Sequence, residues 1–298
     1  MALLLSVFEQ GLIYGVMALG VYITYKILDF PDLTVDGSFP MGAAIAAVMI
    51  SGGAHPLLTL PASFGAGVLA GALTGVIHVT CKVRDLLSGI IMMTALYTVN
   101  LRITGKANVP LYNKNTVFEN KAAESLFGGA LAPFRTLILI AVIAFGAKYL
   151  LDWYLGTHSG YLLRAVGDNS TFVTSMGVDK GKVKIIGLAI SNGLVALGGC
   201  LFAQQQRFFD ISMGTGTVVI GLASVIIGTS LLKKLTLFHV TTSVMAGSIL
   251  YKACVAFALR YMKALNLQSK DLKLVTSVLF LLILLMAQER RKKVKANA

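Results

Sequence analysis

Charged residues are scarce, at 13% of the chain, which is about half the share of an ordinary soluble domain. With 56% hydrophobic residues and a mean hydropathy of +0.78, that shortage excludes a water-soluble globule. Cysteine is scarce too. Cys81, Cys200 and Cys254 lie far apart, inside or at the ends of apolar runs, so neither a disulfide framework nor a zinc site is indicated and small packing residues are the plain reading. His55, His78, His158 and His239 share no spacing, and no metal site is expected. No Gly-x-x-x-x-Gly-Lys-Ser/Thr phosphate loop occurs in the sequence, so the chain does not hold ATP by that device. Acids are outnumbered, 13 against 26 Lys and Arg. In a soluble protein that excess would point to nucleic acid; here membrane topology accounts for it, and no nucleic-acid partner is expected.

What the sequence does hold is a succession of apolar runs, most of them long enough for the roughly 20 residues that cross a bilayer. They are Leu3–Leu28, Ser38–Gly52, Pro56–Cys81, Leu86–Thr104, Phe134–Leu155, Lys184–Gln204, Gly214–Leu232, Leu235–Leu259 and Leu272–Gln288. Ser38–Gly52 is a short run. The expected fold is an all-α polytopic membrane protein of about eight spans, half-spans raising the count to as many as ten. The start, Met1 to Leu5, lacks the basic region of a cleaved signal and is read as the opening of the first helix. The cluster Arg290, Arg291, Lys292, Lys293, Lys295 follows the last run, and the positive-inside rule sets it in the cytoplasm, in a multi-pass cell-membrane protein with an external N-terminus. On that orientation the segment 156–183, with Arg164, Lys180 and Lys182, is the largest cytoplasmic loop.

A shift of 178 positions lays Gly15-Val-Met-Ala-Leu-Gly20 on Gly193-Leu-Val-Ala-Leu-Gly198, and Phe30-Pro-Asp32-Leu-Thr34 on Phe208-Phe-Asp210-Ile-Ser212. Six of the twenty aligned positions are identical, and the two copies run in opposite directions across the membrane. One permease domain, with inverted halves of about 1–130 and 134–298, is therefore expected, an architecture of transporters that open alternately to either side. The stretch Leu28–Gly42 then reads as a break between helices. Pro31 and Pro40 interrupt, while Asp32, Thr34, Asp36 and Ser38 offer caps to the short helix that follows. A catalytic or metal role for these carboxylates is the weak alternative, since no His or Cys stands nearby in sequence.

The segment Gly160–Lys184, GYLLRAVGDNSTFVTSMGVDKGKVK, is the most specific in the chain. Asp168, Asn169 or Ser170 can cap a short helix, Gly177 can end it in the left-handed conformation, and Phe172, Val173 and Met176 form a small apolar face suited to a groove on a partner. This loop, with GLIYGVMALGVYITYKILDFPDLTVDGSF and GTGTVVIGLASVIIGTSLL, resembles the permease subunits of ATP-binding-cassette importers of the branched-chain amino acid and ribose type, and DFPDLTVDGS resembles most the tryptophan/tyrosine-type subgroup. The resemblance implies a homodimer of this chain in the lipid bilayer on two copies of a cytoplasmic ATP-binding subunit, which binds the ATP and Mg²⁺, fed by an extracytoplasmic substrate-binding protein. It implies no enzymatic activity and no cofactor in this chain. It also implies a coupling helix over Arg164, Ala165, Gly167, Asp168, Asn169, Phe172, Gly177 and Val178, with Ser170-Thr171-Phe172 departing from the family's small residues.

For the path or gate the candidates are Asp32, Thr34, Asp36, Thr94, Tyr97, Asn100, Ser191, Asn192 and Asp210. Thr94, Tyr97 and Asn100 recur every third position and are expected to share one broad helical face. Hydrogen bonding between helices is the plain reading of all these polar groups. Lys252, in an apolar run, is expected to snorkel or pair. An ion-coupled carrier using Asp32 or Asp36 is the alternative function, and a membrane scaffold without transport is a third.

Overall fold

The structure, a computed structural model, describes residues 2–120, 129–231, 239–264 and, beyond them, 274, 276–278, 280, 281 and 283–285. These form ten α-helices and one small sheet. In chain order they are α1 Ala2–Tyr22, α2 Val35–Ser51, α3 Thr59–Thr80, α4 Asp85–Thr104, β1 Asn108–Pro110, α5 Arg135–Leu155, α6 His158–Asp168, α7 Ser170–Ser175, α8 Lys180–Gln206, β2 Phe208–Asp210, α9 Thr217–Ile226 and α10 Val240–Ala264. Two π-helical turns follow α1 and α9, at Ile23–Ile27 and Ile227–Leu231.

Among the described residues, seven helical stretches are long and apolar enough to cross a membrane, where about eight spans are expected from the sequence. They are Leu3–Ile27, Pro56–Thr80, Asp85–Thr104, Ala132–Leu155, Lys180–Gln206, Ile211–Ser230 and Val240–Ala258. Val35–Ser51, with 17 residues, falls short of the set. Of the expected span Leu272–Gln288 the described residues are 274, 276–278, 280, 281 and 283–285, all helical and within or beside the shorter apolar helix Thr276–Leu285, whereas Lys233, Lys234 and the basic tail lie wholly outside them.

α1 and α8 are the inner helices. α8 lies against α1, α2 and α3; α1 lies against α8, α9, α10 and α5. Apolar burial gains little inside a bilayer, where lipid tails are as apolar as leucine, so close packing and internal hydrogen bonds must hold such helices together. The contacts fit that requirement. At Gly42 of α2 an added methyl group would coincide with the carbonyl oxygen of Ala196 on α8, so the two backbones touch. Tyr14, Phe39 and Phe202 join α1, α2 and α8 through rings 5.5–5.7 Å apart, spacings at which aromatic pairs attract.

At one end of the bundle β1 and β2 pair antiparallel, with Val109 opposite Phe209. The pairing extends through Leu111 N–H to Arg207 O (2.8 Å) and Ile211 N–H to Ala107 O (2.9 Å), and Arg207 forms an ion pair with Glu119. α6 and α7 stand at the opposite end. α2 begins at Val35, earlier than the expected Ser38, and takes Pro40 into its interior. The expected interruption at Pro40 does not occur. The carbonyl that this proline leaves without a helical donor, that of Asp36, lies directly against Gly214.

Candidate functional site

The break between α1 and α2 carries a buried polar knot. Asp32 Oδ1 accepts from Thr34 N–H at 2.8 Å, an Asx turn that ends the extended stretch. Its Oδ2 accepts from Asn192 Nδ2, also at 2.8 Å, on the middle of α8. Asn192 Oδ1 in turn accepts from the Ser38 hydroxyl at 2.7 Å, and the Thr34 and Thr74 hydroxyls pair at 3.0 Å. Ser191 donates to Gly20 O at 2.8 Å. Every member of this knot is buried, and a buried polar group without a partner costs about 1–3 kcal/mol, so the knot fixes how α1, α2, α3 and α8 meet.

Asp36, four residues on, does not cap its own helix. Its Oδ2 accepts from Gly216 N–H at 3.0 Å, and its Oδ1 accepts from Thr217 Oγ1 and Val218 N–H, each at 2.9 Å. A carboxylate on the first turn of α2 therefore caps the N-terminus of α9, where helix dipole and free N–H groups favour negative charge. Gly216 takes φ +84° to begin that turn. The two interrupted helices thus meet N-terminus to N-terminus across one carboxylate.

Asp210 stands apart from this centre. It repeats the Asp32 turn, accepting from Ser212 N–H at 2.8 Å and from the Ser212 hydroxyl, and it receives Asn108 Nδ2 at 3.4 Å across the sheet. Partial burial pushes its carboxyl up, but the bonds from Ser212 and Asn108 outweigh that and hold it below the ordinary range.

The three polar residues of α4 do not share a face. Thr94 and Tyr97 are exposed, Thr94 bonding back to Ile90 O at 2.8 Å, whereas Asn100 is buried and donates to Gly37 O at 3.1 Å. Six residues of a 3.6-residue helix turn Asn100 about 120° away from Thr94, enough to reverse which side each meets. Lys252 lies with its ammonium 3.5 Å from the Tyr14 ring centre, a cation–π contact. Among the described residues no group of three or more His, Cys, Asp or Glu could hold a metal ion.

At the other end, α6 packs inward through Leu163 and Val166 and α7 through Val173. Asn169 caps α7, its Oδ1 accepting from Phe172 N–H at 3.0 Å, and Gly177 ends the segment at φ +79°. Asp179 then opens α8 by accepting from Gly181 N–H at 2.8 Å. Phe172 and Met176 point outward, 59% and 67% exposed, while Val173 of the expected apolar face is turned in. Arg164 lies exposed, with its guanidinium 5.9 Å from the Tyr161 ring. Ala165, Gly167 and Asp168 lie on α6, and Val178 follows Gly177.

Sequence reasoning missed Ser38 as a partner of Asn192, Thr74 as a partner of Thr34, and Gly216 to Val218 as the seat of Asp36. One signal was available. The same shift of 178 that aligns Asp32 with Asp210 brings Asp36 onto Gly214, two residues before that seat.

The family described as branched-chain amino acid transport system / permease component matches residues 3–288. A tyrosine transport system permease protein of Clostridioides difficile is 43% identical over 99% of this chain and 95% of its own length. An uncharacterized protein of Rickettsia prowazekii is 32% identical over 76% of this chain and 77% of its own. The ribose import permease protein of Escherichia coli K12 is 26% identical over 76% and 68%. No solved structure matches.

Proposed function

The chain belongs to the branched-chain amino acid transport system permease family and is a permease subunit of the ATP-binding-cassette type, and from that premise we propose that it imports an amino acid, an aromatic one such as tyrosine first. The tyrosine permease likeness over nearly the full length of both chains supports that substrate class. Hydrolysis belongs to a separate ATP-binding subunit, present in two copies with its ATP and Mg²⁺, and an extracytoplasmic binding protein delivers the solute. Two copies of this chain form the path between them. The broad exposed face of α4, with Leu87, Ile91, Thr94 and Tyr97, supports that pairing.

The segment 156–183 is the coupling element, and the C-terminus lies with it in the cytoplasm. One observation carries this reading: α7 is capped at both ends and anchored by Val173, yet its Phe172 and the Met176 that follows it are largely exposed, at 59% and 67%. Apolar side chains held in that way suit a groove on a partner. Halves of about 1–130 and 134–298, related by inversion, are the plan of the single permease domain. The equivalent turns at Asp32 and Asp210 support it, as does the packing, in which α8 bears on α2 and α3 as α1 bears on α9 and α10.

Asp32 and Asp36 have their oxygens filled by N–H and O–H donors, so their place is in holding the interrupted helices at the gate, and no ion coupling is assigned to them. The test is uptake of radiolabelled L-tyrosine by proteoliposomes holding the permease, its ATPase and the binding protein. Vanadate is expected to abolish uptake and a protonophore to leave it unchanged; uptake that survives vanadate and falls with the protonophore overturns the reading.

A further inference from the structure

α6 touches the first helix break backbone to backbone. An added methyl group at Gly167 would coincide with the carbonyl oxygen of Ile27 and lie 3.3 Å from Leu28 Cα. Gly187 of α8 meets the end of the Leu28 side chain, at 2.6 Å from its added Cβ, and also the Leu163 side chain of α6. Leu28, 4% exposed, is therefore clamped between α6 and α8. The backbone so clamped is irregular. It leaves a π-helical turn closed by Leu28 N–H to Ile23 O and Phe30 N–H to Thr24 O, both 2.9 Å, and then passes through Asp29 at φ +50°, a conformation that non-glycine residues rarely adopt. π-Turns of this kind are frequent at functional sites. Phe30, wholly buried, meets the His78 ring edge-on at 5.1 Å, and Asp32 follows two residues later.

We propose that the Gly167–Ile27 contact is the joint through which the cytoplasmic segment acts on the transport path, and that Gly167 and Leu28 are positioning residues for transport, separate from the surface that seats the ATPase. The inference rests on the reading of 156–183 as the coupling element. No flexible side chain stands between the two backbones, so a displacement of α6 is applied to the break without slack. Asp32 lies four positions beyond Leu28, a reach of about 14 Å at most. Movement there bears directly on the Asp32–Asn192 bond and, through the first turn of α2, on the Asp36 cap of α9. The α7–α8 connection is a weaker route, because Gly177 and the Asp179 turn lie between its exposed helix and α8. Close-packed elements of this kind shift between discrete arrangements rather than bending.

Test variants are compared in the full complex, reconstituted in proteoliposomes and supplied with radiolabelled L-tyrosine, L-tryptophan and L-leucine. Three quantities are measured: ATPase copurification, ATP hydrolysis, and solute taken up per ATP. Gly167→Ala is expected to lower uptake per ATP about tenfold or more. Leu28→Ala, buried and outside 156–183, is expected to copurify the ATPase and hydrolyse ATP within about threefold of the parent while uptake per ATP falls about fivefold. Uptake per ATP within about twofold of the parent for both variants overturns the joint. Loss of the ATPase from Gly167→Ala overturns it as well, because Gly167 would then serve the ATPase seat; should that variant not reach the membrane, Leu28→Ala decides alone. The reading of 156–183 is judged separately by Phe172→Asp combined with Met176→Asp, which is expected to lose the ATPase and sinks that reading if it keeps it.

Discussion

The two helix breaks, residues 28–34 and residues 207–216, make the same turn from an aspartate and a hydroxyl residue two places on, and spend it differently. In each, an aspartate accepts from the N–H two residues on, Thr34 in one and Ser212 in the other. Asp32 is then sealed inside the bundle, and its second oxygen depends on Asn192. Asp210 sits among half-exposed neighbours, and its second oxygen takes only a 3.4 Å contact from Asn108. Local sequence sets the turn. Burial sets what that turn is worth, since solvent can replace a lost partner at the second break and nothing can at the first.

Asp36→Ala tests the link between the breaks and is expected to have the largest effect. It strips acceptors from Gly216 N–H, Val218 N–H and the Thr217 hydroxyl, for a loss of about 3 kcal/mol read as a lower thermal midpoint in detergent, with uptake abolished. Asp32→Asn comes next. It sets an amide donor against either Thr34 N–H or the Asn192 amide, at a cost of about 2 kcal/mol, measured in the same way. Asp210→Ala removes a local cap only and is expected to cost about 1 kcal/mol. Thr94→Val, on the exposed face of α4, is expected to move the midpoint by less than about 0.5 kcal/mol. Equal losses from the Asp32 and Asp210 variants would mean that the two breaks are interchangeable and that burial does not distinguish them.

Much of the frame is legible along the chain because its causes are local. Apolar runs mark the spans, Asp32-Leu-Thr34 and Asn169 to Gly177 mark turns and caps, and Pro31 marks the end of the first helix. What escapes is set by distant partners. Asp36 reads as a cap for its own helix, and only the fold reveals that the N–H groups it serves lie 180 and 182 residues away. Pro40 reads as a stop, yet it is tolerated where Gly214 leaves room beside the freed carbonyl. The sheet pairs strands of three residues each, Asn108–Pro110 with Phe208–Asp210, too short to carry an alternating pattern. Spacing alone groups Asn100 with Thr94 and does not say which neighbour each side of α4 meets.

The Asp32–Asn192 bond also has a consequence for biosynthesis. Its donor is made 160 residues after its acceptor, so the nascent first half enters the bilayer with a carboxylate and the Ser38 hydroxyl still awaiting their mates. An isolated amino-terminal fragment would keep that liability and fall to quality-control proteases, whereas the two fragments expressed together could complement each other once α8 arrives.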